Sequence, residues 1–348
     1  MGRAQKNVTF FLLGILVICS TSCVNLNKRI FPKGPAPKAV THPLPGEADE
    51  CGIWADTNDP SNSALICNDK SPFGALFVFD LSGKEISRSH NMDRPVGVSI
   101  RNGIKMKNGD VIDVVGCGVR GTNEIKIFKI DPSTRELIDV THSSGISSGF
   151  HSDTYGFCLY KRQSDGQLFC FVSTKHTENI HQYRLDDDGT GRFQGTLVRK
   201  FGVTHQRSFV EGMVADDEYG YFYACDERHA ILKFYADPDV KKDPFIKAFG
   251  LADGIKGDRE GLGLYKMANG KGYLLVSSQG DSTFKIYERT GSNKFVKSIH
   301  AEGVTKTDGI GVTSLKIPPN YPTGVFAAHN DKNNNYAIFD WFEFSGLQ

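Results

Sequence analysis

Two short phrases return in step six times along this chain, and that periodicity leaves few folds open. In the first, a key residue and a small residue precede an apolar run, with key positions at Glu50, Val96, Tyr155, Glu211, Glu260 and Asp308, 46 to 59 residues apart. In the second, an apolar run ends in an aromatic, at Phe79, Phe128, Tyr183, Phe234, Tyr287 and Phe339, 49 to 55 residues apart. The apolar runs are four to six residues long and bounded by Asp and Gly clusters, as in SFVEGMVADDEYGYFYACDERHAILKF at 208–234. Such runs read as strands, being too short for helices. A repeat of this size with about four strands is the signature of a propeller blade. Six repeats predict an all-β fold, a six-bladed β-propeller of four-stranded antiparallel blades around a central channel, over 48–345. The 37 glycines and 11% aromatics suit many short strands joined by tight turns.

The strand opened by the first phrase is expected to be innermost in each blade, its glycine permitting close backbone approach near the axis. Glu50, Tyr155, Glu211, Glu260 and Asp308 would then ring one mouth of the channel, while Val96 breaks the pattern. Asp49, Asp258 and Glu227 lie near enough in sequence to join them. Taken singly, each acid also reads as a strand-end residue paired with a nearby Lys or Arg. As an in-register set they read as a metal site, because crowded carboxylates repel one another unless cations neutralise them. Oxygen-only ligands in a flexible array favour calcium over zinc or magnesium. Lys70, Arg120 and Lys175 each follow the second strand of one of the first three repeats. Calcium beside Lys and Arg suits a substrate bearing several phosphates.

The apolar run FFLLGILVI at 10–18, preceded by Arg3 and Lys6, reads as an export signal. Ser20-Thr21-Ser22-Cys23 then resembles a lipobox, so 1–22 is expected to be a lipoprotein signal peptide with lipidation at Cys23. A plain signal peptide is the alternative. The Pro- and Lys-containing stretch 23–47 is expected to act as a tether, giving a cell-envelope lipoprotein held to a membrane by its N-terminal lipid. Val24 is not the Asp of an inner-membrane retention signal, which points to the outer membrane. With 41 basic and 40 acidic residues the chain has no field that favours nucleic acid, and a monomer is expected. Cys51, Cys67, Cys117, Cys158, Cys170 and Cys225 form no zinc pattern. Cys51 with Cys67 and Cys158 with Cys170 could bridge hairpins, and buried free thiols stand as the alternative. Gly145-Ile146-Ser147-Ser148-Gly149 matches G-x-S-x-G but lies in a polar loop with no buried strand before it. Asp186-Asp187-Asp188-Gly189 lacks the spacing of a calcium loop and reads as a hairpin turn.

Over nearly the whole of the part expected to be exported, the chain resembles the bacterial β-propeller phytases. The resemblance is carried by EGMVADDEYG (211–220), REGLGLY (259–265), GKGYLLVSSQG (270–280), IYERTGSNKFV (286–296), TDGIGV (307–312) and YGFCLY (155–160). It implies the same six-bladed fold and calcium-dependent hydrolysis of phosphomonoesters of phytate (myo-inositol hexakisphosphate) or other inositol polyphosphates, presented as calcium complexes. In the implied mechanism, water bound to one of several calcium ions attacks phosphorus. By position, the resemblance assigns calcium binding to Asp49, Glu211, Glu227, Asp258, Glu260 and Asp308, with Glu50 a lengthened counterpart of a family Asp. It makes Glu211, Glu227, Asp258, Glu260 and Tyr155 the catalytic cluster and gives phosphate binding to Lys70, Arg120 and Lys175. A second phosphate subsite is implied as well. Ser99, Val119, His176, Lys306 and Asn330 stand where the family has other residues, mostly acids, so fewer stabilising calcium ions are expected. Two alternatives are a non-catalytic propeller of the same descent that binds calcium or polyphosphate, and a one-metal lactonase-type propeller.

Overall fold

Each repeat folds into one antiparallel sheet because its apolar runs are joined by turns too short for a crossover. The computed structural model describes residues 1–2, 34–240 and 243–348, and its contacts separate Met1–Pro32 from a unit of Lys33–Gln348. The expected export signal, Cys23 and the first part of the tether lie outside the described residues. The second unit contains six four-stranded antiparallel sheets, the six blades expected from the repeats. Their inner strands are Ala48–Trp54, Pro95–Lys105, Thr154–Lys161, Val210–Asp216, Arg259–Lys266 and Ile310–Thr313, and each inner strand adjoins the next around a closed ring. One short α-helix, Trp341–Ser345, occurs among the described residues.

The first five blades are built from consecutive strands, but the sixth is closed by the other end of the chain. Its outer strand is Ala39–Val40, paired with Asn335–Asp340. Lys38 N–H donates to the Ile338 carbonyl at 2.8 Å, and Thr41 N–H donates to the Tyr336 carbonyl at 2.9 Å. The Asn334 amide then donates to the carbonyls of Leu44 and Gly46, both at 2.8 Å. The stretch expected to be tether up to residue 47 is therefore part of the propeller from about residue 38, which corrects the expected start at 48. A two-residue edge strand in a proline-rich segment has no apolar alternation to reveal it.

The second phrase is explained by the packing between blades. Six clusters of buried side chains fill the six junctions, one per pair of neighbouring blades. Phe79, Phe128, Tyr183, Phe234, Tyr287 and Phe339, all in third strands, each enter the cluster shared with the preceding blade. Burying one such ring contributes roughly 1.5–3 kcal/mol, and the same contact made six times sets the angular step of the propeller.

The first phrase is explained by a β-bulge. In blade 4, Val210 faces Asp226 but Met213 faces Ala224, so Glu211 and Gly212 together oppose one residue. Blades 1, 3 and 5 carry the same shift at the equivalent place, and in blade 2 it falls one residue later, at Gly97 and Val98. Bulges of this kind re-aim side chains and often border functional sites. The glycine is needed because the next blade comes so close: a Cβ on Gly212 would lie 2.0 Å from the Glu260 carbonyl oxygen, and one on Gly156 2.3 Å from that of Glu211.

At the other end of the inner strands two arginines cross between blades. Arg101 Nη2 donates to the carbonyl of Leu159 at 2.5 Å and that of Ala215 at 3.2 Å, and Arg101 Nε lies 2.7 Å from Asp217. Arg289, fully buried, holds both oxygens of Asp216 at 2.6 and 2.7 Å. The six cysteines named above are all free and buried, although Cys51 and Cys67 face each other directly across two strands. In the G-x-S-x-G match, Ser147 forms an isolated bridge with Glu124 and Ser148 lies in irregular backbone, its Oγ 2.7 Å from Thr154 Oγ1.

Gly212→Ala forces blades 4 and 5 apart. An added methyl pressed into packed backbone costs about 1–3 kcal/mol, to be read from the urea midpoint; an unchanged midpoint would show that the close approach is not needed.

Candidate active site

Two side-chain positions per blade converge on one mouth of the channel. The first lies at or beside the start of the inner strand and supplies Glu50, Tyr155, Glu211 and Glu260 from bulges, Val96 from just before one, and Asp308 from just before Ile310–Thr313. The second is the residue directly after the second strand: Lys70, Arg120, Lys175, Glu227, Gln279 and Asp331. The backbone at this second position repeats in all six blades, where its N–H donates to a carbonyl just before the bulge. The acceptors are Glu47, Arg94, Asp153, Phe209, Asp258 and Thr305, at 2.7 to 3.1 Å. One turn geometry thus carries three cations in blades 1–3 and acids or an amide in blades 4–6.

Glu211, Glu227 and Glu260 form the centre. All three are buried, and one carboxylate oxygen from each lies within 4.8 Å of the others. Glu211 Oε1, Glu227 Oε1 and Glu260 Oε2 are buried with no hydrogen-bond donor. Leaving a buried charged oxygen unpartnered is costly, so these three atoms call for protons or a cation. Burial, then Asp49, pushes the Glu211 carboxyl up to about 8, against the pull of Lys70 and the Tyr155 hydroxyl. Burial followed by the neighbouring carboxylates also raises Glu260 and Glu50, and burial raises Glu227.

Three of the other acids, Asp49, Asp308 and Asp258, are partnered by protein groups. Asp49 receives Lys70 Nζ at 2.7 Å and Asn68 Nδ2 at 3.3 Å. Burial alone would lower the Lys70 ammonium, but Asp49 and Glu211 outweigh it and hold it above the lysine range. Asp308 accepts from Gln279 Nε2 at 2.6 Å and has a ring nitrogen of His329 at 3.2 Å. Burial works against that carboxylate, yet these two contacts keep it below its ordinary range. Asp258 stands at the rim, 3.7 Å from Arg228.

Tyr155 joins the two halves of the mouth. Its hydroxyl faces Glu211 and Glu227 and pulls both carboxyls down against the effect of burial. The Lys175 ammonium lies 4.9 Å from its ring centre and the Arg120 guanidinium 6.0 Å, distances at which a cation is attracted to an aromatic face. Arg120 also meets Asp153 at 2.9 Å. The structure therefore gathers the residues expected at the mouth, with a trio of bare buried oxygens at the centre, Asp49 and Asp308 paired beside it, and Glu50 crowded by Asp49, Glu211 and Asp308.

Sequence reasoning missed Gln279, His329, Asn68 and Tyr336. Gln279 could have been found, because it occupies in blade 5 the position of Lys70 or Glu227. Tyr336 is invisible to any blade-by-blade rule: its hydroxyl reaches from blade 6 to accept Asp49 N–H at 2.9 Å and lies 3.1 Å from the Glu50 carbonyl. Among the departures, Ser99 Oγ accepts Leu159 N–H at 2.9 Å, and Val119 is buried in the cluster between blades 1 and 2. His176 lies 3.5 Å from Asp153.

The raised carboxyls fix a sign. A carboxyl that stays protonated in the fold but ionises in the unfolded chain favours folding at low pH and loses that advantage as pH rises. In chelator, the contribution of Glu211 to stability should fall between about pH 4.5 and 8 by about 1.4 kcal/mol per pH unit, and the other raised carboxyls act in the same direction. Urea midpoints that rise over this interval would contradict the assignment.

Comparison with known proteins agrees with these features. The model of the family described as Phytase matches residues 25–343. A 3-phytase of Bacillus subtilis (strain 168) is 34% identical over 310 residues, covering 84% of this chain and 79% of that protein. Two solved structures share the fold at low identity. A luciferin-regenerating enzyme has TM-score 0.51 and 11% identity, with 88% of this chain and 96% of that chain covered. The Cps50 (Swd1) β-propeller domain of Myceliophteria thermophila has TM-score 0.50 and 12% identity, with 87% and 99% covered. The family match spans both rings of the mouth as well as the blades that carry them, and this chain belongs to the Phytase family.

Proposed function

We propose that the mouth hydrolyses phosphomonoesters of phytate in a calcium-dependent reaction. The observation that carries this reading is the pairing of three bare, buried carboxylate oxygens with three cations across one opening. The donor set fits calcium: it is all oxygen, it is crowded with negative charge, and its bare atoms face one another. Glu211, Glu227 and Glu260 would hold the ion at the centre, with Asp258, Asp49, Glu50 and Asp308 as further carboxylates around them. Bound there, calcium would supply positive charge against the phosphoryl oxygens and make water more acidic.

The chain's own groups account for the rest. Lys70, Arg120 and Lys175 offer donors to phosphate oxygens from the side facing the acids. Hydrolysis of a phosphomonoester needs positioning and charge neutralisation more than covalent help from the protein. Tyr155 does both indirectly, since its ring seats two of the cations and its hydroxyl orients Glu211 and Glu227. A substrate bearing phosphates on neighbouring carbons can engage cations on more than one blade at once. Export and anchoring through Cys23, which would place this activity at the cell envelope, are part of the same proposal and rest on the sequence of residues 10–23.

Phosphate release from phytate, measured with calcium and again in chelator, tests the reading directly. Glu211→Gln and Glu260→Gln should each lower the rate by ~10²-fold or more while the protein still unfolds cooperatively; normal turnover by both variants would remove the site assignment. Adding calcium to metal-free protein near pH 7 should also release protons, because Glu211 must give up its proton to serve as a ligand. Binding without any change in pH of a weakly buffered solution would count against that ligand set.

A further inference from the structure

The inner strands run from the acid cluster to the opposite mouth of the channel. Glu260 and Lys266 sit near the two ends of one of them, Arg259–Lys266, roughly 20 Å apart at the usual rise per residue. Between these ends the lumen narrows to a cavity of about 130 Å³ that touches Glu50 and Glu211 on one side and Arg101 on the other. Past Arg101 it opens into a far-mouth cavity of about 410 Å³. Lys266 and Ser314 line this space and also an adjoining cavity of about 700 Å³ toward the chain's C-terminus.

The charges of the far mouth do not balance. Arg101, Lys161 and Lys266 line it against the single carboxylate of Asp217. Asp217 is committed to Arg101, whose Nε lies 2.7 Å away. Lys161 Nζ donates to the carbonyls of Asn102 and Gly103 at 3.0 and 2.8 Å. Lys266 differs from both: among the described residues neither its ammonium nor the Ser314 hydroxyl has a protein hydrogen-bond partner, and both open onto the same two cavities. Burial lowers the Lys266 ammonium below the ordinary lysine range, and Asp217 offsets this only in part. A half-buried ammonium of this kind is stabilised by an anion that supplies acceptor oxygens. A cation is repelled here, and a neutral ligand leaves the ammonium uncompensated.

We propose that Lys266 and Ser314 form a binding site for a tetrahedral oxyanion, inorganic phosphate in the first place, at the mouth opposite the acid cluster. Inorganic phosphate is the anion that phosphomonoester hydrolysis releases, so the protein works in its presence. The site itself shares no residue with the acid cluster and stands whether or not that cluster is read correctly.

Phosphate binding to the full chain in chelator, followed by ³¹P NMR line broadening, decides the matter. A saturable site in the millimolar range is expected for the wild type and for Lys175→Met, which removes a cation of the acid mouth. Lys266→Met should weaken it about tenfold or more, as loss of a charged hydrogen bond does. Lys266→Arg should retain it, and Ser314→Ala should weaken it by a smaller factor. Sulfate should compete and acetate should not. Unchanged binding in Lys266→Met, loss in Lys175→Met instead, competition by acetate alone, or no saturable binding would each overturn the proposal. Phytate turnover by Lys266→Met should equal that of the wild type, so failure at the far mouth and failure at the acid mouth are read separately.

Discussion

Mutual repulsion among carboxylates at the channel axis is the constraint that the rest of this structure has to meet. Six blades meeting at one axis bring the starts of their inner strands within van der Waals contact, and four of the six first-phrase positions there, Glu50, Glu211, Glu260 and Asp308, carry an acid. The fold meets the repulsion in three ways. Lys70 neutralises Asp49, an amide and a histidine hold Asp308, and Glu211 retains its proton to about pH 8. Among the described carboxylates, only those of Glu211, Glu227 and Glu260 keep a fully buried oxygen with no hydrogen-bond donor. The place where a cation is most needed is therefore also the place where a substrate's phosphates would meet it.

A regular backbone produces an irregular site. The bulge and the turn after the second strand recur blade by blade, with one hydrogen bond repeated six times within 0.4 Å (2.7 to 3.1 Å). Nothing in that backbone distinguishes Arg120 from Gln279. The chemistry comes from which side chain each blade places there, cations in blades 1–3 and acids or an amide after them. A charge gradient across the mouth follows without any change of architecture, and Tyr155 sits at its boundary, with cations on its ring and carboxylates at its hydroxyl.

This division decides how much could be read beforehand. The blades, their number and the acids of the mouth were legible because each depends on a local pattern, a glycine bulge or a buried aromatic, repeated at a fixed period. The outer strand at Ala39–Val40 was not legible, since its two residues carry no pattern and its partner lies some 300 residues later. Tyr336, which steadies Asp49 and Glu50 from the last blade, escaped for the same reason. Gln279 escaped for a different one: attention to charge passes over an amide, although its position in the repeat marks it. The unpaired ammonium of Lys266 depends on what surrounds it in space, which no spacing of residues conveys.

The residues that depart from the family pattern show how a loop can be fastened without charge. Asn330 ends the second strand of blade 6, and its Oδ1 accepts from Thr305 N–H at 3.1 Å and Thr305 Oγ1 at 3.2 Å. Its Nδ2 reaches Asn335 Oδ1 at 3.3 Å. In blade 4 the equivalent residue, Asp226, fastens its loop through Arg207 N–H and the Ser208 hydroxyl with a charged carboxylate instead. An amide does the same work while adding no negative charge to a mouth that already carries too much. Lys306, in the left-handed region at φ 43°, stands in the loop that Asn330 fastens. In blade 6 the loop is thus fastened without a further buried carboxylate, and the buried oxygens left without a donor at the mouth are those of the three central glutamates.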